Sequence, residues 1–247
     1  MHGGVRVHLV SFADGPFAPR KSRFLEQAGR MELFDASFVH DASTLPAPFL
    51  QQHLPFMKSH ARGFGYWIWK PRVIASALEQ SSPGDLVVYM DVGFTLHPGG
   101  RNRFCEYLDI ALDSTHKMLS FQNVYTEARW TKADLARRLG VLGRARIMNT
   151  SQLSSGFIIL GATPSNRHLV AEWQQLAVEE DYRYSDDSPS IEPNHPLFRE
   201  HRHDQSISSL LRKLRGTEIT HYQVQSYAQQ FEDVKPLLPA WATRLRR

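Results

Sequence analysis

An aspartate at the mouth of an apolar run is the residue best placed to do chemistry in this sequence. Asp91 follows Leu86–Met90 (LVVYM) and precedes Val92 and Gly93. A continuously apolar run suits a central strand covered on both faces. A carboxylate at its end can take a sugar hydroxyl or a metal, and Gly93 lets a ligand approach the backbone. The plainer reading is a strand-ending turn, where Asp and Gly are common. A second cluster, residues 63–72 (GFGYWIWKPR), packs three aromatic rings and two cations into the seven residues from Tyr66 to Arg72. Rings such as Trp69 can stack on a base or sugar, and Lys70 and Arg72 can neutralise a diphosphate. The same tryptophans also suit a core, with Lys70 in solvent.

A third cluster, residues 201–206 (HRHDQS), opens an expected helix. Asp204 is either that helix's N-cap or a carboxylate facing a ligand, with Gln205 beside it. A helix N-terminus also favours anions such as phosphate. His201 and His203 would suit a metal pair only on a strand or loop. Ser154, Ser155 and Gly156 permit close ligand contact or tight packing before the run GFIIL. His221 closes a last short strand, where it is either a metal ligand or an ordinary surface or core histidine.

The elements that must carry these residues alternate. Residues 5–12 (VRVHLVSF) predict a first buried strand and 21–31 a helix. Ala36–His40 predicts a second strand. Residues 46–55 hold three prolines and predict a loop or broken helix. Residues 69–78 predict a helix with Pro71 in its first turn, and 82–85 (SPGD) a turn. Beyond the central strand come a helix at 103–112, a strand at 118–122 and a short helix at 132–139. A strand at 156–160, a helix at 166–177, a mobile Ser-, Asp- and Pro-rich loop at 182–196, a helix at 205–214 and a strand at 218–222 complete the series. This alternation predicts an α/β fold with a mostly parallel sheet flanked by helices. Ligands in such sheets bind at the carboxyl ends of the strands. The 247 residues fit one domain spanning 1–247.

Composition narrows the classes. Hydrophobic residues are 42% and charged residues 22%, as in ordinary globular proteins. No run approaches the ~18 apolar residues of a membrane span. The apolar segment 5–10 is too short for a signal peptide, so a cytoplasmic location is expected. Cys105 is the one cysteine and suits a reducing compartment. The net charge of +4 is spread along the chain, with no zinc-finger or RNA-binding signature. No nucleic acid partner is expected, and anionic substrates are. P-loop, dinucleotide and nucleophile-elbow patterns are missing.

Residues 65–93, GYWIWKPRVIASALEQSSPGDLVVYMDVG, resemble a block in bacterial GT-A-type glycosyltransferases of the surface-polysaccharide kind. There an aromatic–Trp–Lys–Pro segment and a helix lead into a strand ending Tyr-x-Asp-x-Gly. The downstream WTKADL (130–135), SSGFIIL (154–160) and HRHDQS are also similar, so the resemblance runs from Val5 to Tyr222. The order of motifs also resembles the retaining galactosyltransferase and glycogenin type. Those carry Asp-x-Asp, Asn-Ser-Gly, Asp-Gln-Asp and a late metal-binding His, matched here by 91–93, 154–156, 204–206 and His221. Gly93 stands where the second Asp, the usual metal ligand, would be, and Ser206 replaces another Asp.

The resemblance implies a GT-A-like, Rossmann-type fold. It implies transfer of a sugar from a nucleoside-diphosphate donor to a glycan or lipid-linked glycan hydroxyl. Trp69, Lys70, Arg72, Asp91, Gly93, Ser155 and Gly156 would bind the donor, and Asp204 and Gln205 would act at the anomeric carbon. Asp204 is the general base if the reaction inverts; if it retains, Gln205 or Asp204 stabilises an oxocarbenium-like state. A Mn²⁺ or Mg²⁺ ion would be held by Asp91 and His221; the alternative is that Lys70, Arg72 and the helix near Asp204 neutralise the diphosphate without metal. Two other functions stay open: a sugar nucleotidyltransferase, whose Gly-rich basic loop residues 13–16 (ADGP) do not match, and a catalytically inactive glycan-binding module. The C-terminal residues 241–247 (WATRLRR) either touch an anionic inner leaflet or fray in solvent.

Overall fold

The computed structural model describes residues 1–221, 233 and 235–242. A six-stranded sheet runs through it in the order β2-β1-β3-β6-β5-β7. The strands are β1 (Val7–Phe12), β2 (Ala36–His40), β3 (Leu86–Met90), β5 (Met118–Thr126), β6 (Ser151–Gly161) and β7 (Glu218–His221). A separate pair joins β4 (Thr95–Leu96) to β8 (Ala240–Trp241). β1 is parallel to both β2 and β3, and β5 is parallel to β7. β6 runs against both of its neighbours. The fold is thus the expected α/β class, with one reversed strand in a sheet otherwise running one way.

The long helices are α1 (Arg20–Met31), α2 (Ala47–Ser59), α3 (Lys70–Gln80), α4 (Arg101–Asp113), α5 (Pro164–Tyr182) and α6 (His203–Arg215). They cover both faces of the sheet, because successive side chains of each strand point to opposite sides. On β3, Val87 and Tyr89 join a core with Ile74 of α3, Trp173 of α5 and Leu210 of α6. Leu86, Val88 and Met90 join a second core with Phe24 of α1 and Phe104 of α4. All five β3 side chains are buried, which is why the run is apolar throughout.

The chain leaves β1 toward β2 on one side and returns to β3 on the other. The carboxyl ends of β1 and β3 therefore flank a point where the winding reverses, where ligands settle in open α/β sheets.

Three local results differ from the sequence expectation. The proline-rich segment forms α2, because Pro46 caps it and Pro48 sits in the first turn, where no N–H is missed; only Pro55 is interior. The stretch after α5 is tied down rather than loose. Lys132 Nζ donates to Arg183 O at 2.7 Å and Asp186 Oδ1 at 3.0 Å, and Asp134 accepts the Ile191 and Glu192 amides. In the C-terminal segment, Trp241 belongs to the fold: its strand pairs with β4 and its ring stacks on His97 at 4.8 Å. Tyr222 and residues 243–247 lie outside the described residues.

Candidate active site

Residues 63–67 deliver Lys70 through an uncommon backbone. Gly63, Phe64, Gly65, Tyr66 and Trp67 all have φ between 51° and 80°, a left-handed turn. Non-glycine residues reach that region at a cost of roughly 1–2 kcal/mol each. A Cβ on Gly63 would lie 2.3 Å from the Trp67 ring, and one on Gly65 would lie 2.8 Å from the Met57 backbone. The turn throws the chain directly into α3, whose first residue is Lys70.

Lys70 is buried, and its Nζ lies between two carboxylates. Asp91 Oδ1 is 3.3 Å away and Asp204 Oδ2 2.6 Å, the latter an ion pair angled outside hydrogen-bond geometry. Nζ also donates to Ser155 Oγ at 3.3 Å and Ser155 O at 3.4 Å. Burial alone would lower this ammonium's pKa; Asp204 and Asp91 outweigh it and hold the pKa above the usual lysine value. The Tyr89 hydroxyl donates to Asp91 Oδ1 at 2.7 Å, and burial together with Asp91 pushes its pKa far up. Tyr89 therefore stays a proton donor to the carboxylate.

Gly156 makes room for this arrangement. A Cβ there would stand 2.6 Å from Asp91 Oδ2. Because β6 is reversed, residues 151–156 project past the end of β3, and Gly156 O accepts the Asp91 amide at 2.9 Å. The fully buried Arg212 of α6 secures that projection, donating to Ser154 O at 2.8 Å and Leu153 O at 3.1 Å. Asp204 is the second residue of α6; the N-cap is Arg202, which makes no side-chain cap bond. Its carboxylate sits at the positive end of the helix dipole. Gln205 donates to Gln152 Oε1 at 2.7 Å, and Gln152 donates in turn to the buried Glu127.

The structure thus joins Lys70, Asp91, Ser155, Gly156 and Asp204 at one edge, with Gln205 beside Asp204. Gly93 lies at the same edge, two residues past Asp91, but Trp69, Arg72 and His221 stand outside it. Trp69 is a core residue: its ring stacks on Phe12 at 3.9 Å and its Nε1 donates to Gly63 O. Arg72 lies about 200° round the helix from Lys70 and pairs with Glu79 at 2.6 Å. His201 and His203 are structural, each donating a ring N–H to a backbone carbonyl, of Tyr184 and Ser185. Tyr89, Glu127 and Arg212 were missed. The Tyr of Tyr-x-Asp was a usable signal for the first; burial of the other two is invisible in sequence.

A divalent ion held by Asp91 and His221 does not fit the described residues. His221 is exposed on edge strand β7, with β6 and β5 between it and β3, about 14 Å at ordinary strand spacing. Asp91 Oδ1 already serves Tyr89 and Lys70, and Gly93 offers no ligand. No group of three His, Cys, Asp or Glu able to hold a metal exists among the described residues.

No family model and no curated protein matches this chain. Solved structures similar to it include mouse xyloside xylosyltransferase 1 in its apo form, at 11% identity over 96% of this chain and 97% of that one, TM-score 0.46. A glycosyltransferase involved in glycosylation of the major capsid of PBCV-1 aligns at 8% identity over 96% and 93%, TM-score 0.49. The galactosyltransferase LgtC, with donor and acceptor sugar analogues, aligns at 11% over 95% and 86%, TM-score 0.47. At these identities and TM-scores the similarity carries no argument about this chain, and the case for function rests on the site. No helix among the described residues is long and apolar enough to cross a membrane.

Proposed function

We propose that this chain is a glycosyltransferase that moves a sugar from a nucleoside-diphosphate donor to a hydroxyl on a glycan or lipid-linked glycan, in surface polysaccharide synthesis on the cytoplasmic side. One observation carries the reading: Asp91 and Asp204 meet around a single buried ammonium, beside the point where the sheet reverses its winding.

Asp91, whose side chain is 40% exposed, takes a ribose or sugar hydroxyl of the donor. Lys70 holds both carboxylates in place. In the reaction the anomeric carbon–phosphate bond breaks and its electron pair goes to the phosphate oxygen. The acceptor oxygen bonds to the carbon. Its proton goes to Asp204 if the configuration inverts, or to the leaving phosphate if it is retained, with Gln205 or Asp204 then stabilising the oxocarbenium-like state.

The test is a nucleotide-sugar panel read by donor hydrolysis and transfer. Asp91→Asn and Asp204→Asn should each lower turnover by about 10²–10⁴ while thermal melts show an intact fold. Near wild-type rates in both variants would place the chemistry elsewhere. Residues 243–247 are the proposed contact for an anionic leaflet. A chain ending at Ala242, which keeps the packed Trp241, should pellet less with anionic vesicles than the full chain, and equal pelleting would remove that contact.

A further inference from the structure

The first turn of α1 concentrates positive charge. It carries Arg20, Lys21 and Arg23, no acid, and an N-cap, Pro19, without a side-chain cap bond. A helix N-terminus already bears partial positive charge, so cations there are disfavoured. Lys21 is answered by Asp41 at 3.3 Å. Arg20 is 5% exposed, and its Nη2 is buried without a hydrogen-bond partner; Arg23 Nε and Nη2 are in the same condition. Burial, then the charge of Arg23, draws the Arg20 pKa below the usual guanidinium range. Both groups remain ionised; Arg20 lies over the Phe17 ring at 5.1 Å and Arg23 is half-buried, but neither has a carboxylate partner among the described residues, and buried charge so placed is costly.

The Arg20 guanidinium faces the edge just described, and Arg23 is near enough for its charge to act on Arg20. Arg20 Nη1 lies 3.3 Å from where a Cβ on Gly93 would be. A guanidinium therefore stands where an acidic side chain at position 93 would reach. Lys70 and Arg72, the cations expected for a diphosphate, are committed to carboxylates of the chain itself.

We propose that Arg20 and Arg23 bind the donor diphosphate directly, and that no divalent ion is needed to hold it. Guanidinium forks match phosphate oxygens with paired hydrogen bonds. As the anomeric bond breaks, charge grows on the phosphate oxygen and these donors stabilise it. That the anion belongs to a nucleotide-sugar rests on the function proposed above; that the site takes a diphosphate does not.

Calorimetry in excess EDTA with inorganic pyrophosphate, then with nucleoside diphosphates, tests this. The wild-type chain should bind pyrophosphate without metal, and Arg20→Gln or Arg23→Gln should weaken binding by about tenfold or more. Without ligand, both variants should melt at or above the wild-type temperature, because each removes buried guanidinium nitrogens that have no hydrogen-bond partner; a merely structural arginine would lower it. Pyrophosphate should raise the wild-type Tm by clearly more than it raises that of either variant. Binding that appears only with Mn²⁺, or is untouched in both variants, overturns the inference while leaving glycosyl transfer standing. Metal-free, arginine-dependent pyrophosphate binding with no turnover of any nucleotide-sugar supports the inference and overturns the function.

Discussion

At the scale of residues, the site is a problem of like charge. Asp91 and Asp204 would repel each other at this range if Lys70 did not lie between them. Gly156 matters for a steric reason, since any side chain at 156 meets Asp91 Oδ2. Gly156→Ala should therefore turn the Asp91 carboxylate away and lower turnover by about a hundredfold, with little change in Tm, because that carboxylate can rotate toward solvent. Steady-state rates and thermal melts of the one variant decide it. Asp91, Ser155 and Gly156 could be placed from the sequence because each borders an apolar run whose end falls at one edge; Lys70 and Asp204 stood out as an aromatic–cationic cluster and a helix opening, and it is the fold that brings them to that edge. Arg20 and Arg23 gave no such signal. Basic residues opening an amphipathic helix look the same whether solvated or buried, and only packing separates the two.

At the scale of elements, the left-handed turn at 63–67 governs where α3 begins. Gly65→Ala would force a Cβ to 2.8 Å from the Met57 Cα at a φ of +80°. A loss of about 2–3 kcal/mol is expected, seen as a lower urea midpoint with unchanged slope. Gly140, at a φ of +66° with open space around it, is the control. Its alanine variant should lose only about 1 kcal/mol. The strands at β2 and β3 and the cores of most helices could be placed from apolar periodicity. The direction of β6 could not, because a strand buried on both faces has no periodic feature that distinguishes parallel from antiparallel pairing. Nor could α2, whose prolines hide the fact that two of the three occupy positions where a helix tolerates them.

At the scale of the whole molecule, the histidines make the fold acid-sensitive. Burial lowers the pKa of His53, His201 and His203, and lowers His40 to about 4. The unfolded chain protonates these rings near their ordinary value, about 6.5, and the folded chain only at lower pH. Their contribution is complete above that value and is lost as pH falls through the folded value, about 4 for His40. Stability should drop by about 1.4 kcal/mol per pH unit for each histidine that takes up its proton on unfolding. Melts between pH 7 and 4 should show this, and His40→Asn should flatten part of the slope; an unchanged slope would mean that His40 is not shielded.

The enclosure of Lys70 also governs its reactivity as an amine. Acylating reagents need a deprotonated nitrogen within reach, and Lys70 offers neither. Lys132 is likewise enclosed by Arg183, Asp186 and Ser188, whereas Lys58 and Lys117 are exposed. Under native conditions labelling should reach Lys58 and Lys117 quickly and Lys70 and Lys132 only when the molecule opens. The mass of two peptides would then time that opening from within, without a probe attached to the chain.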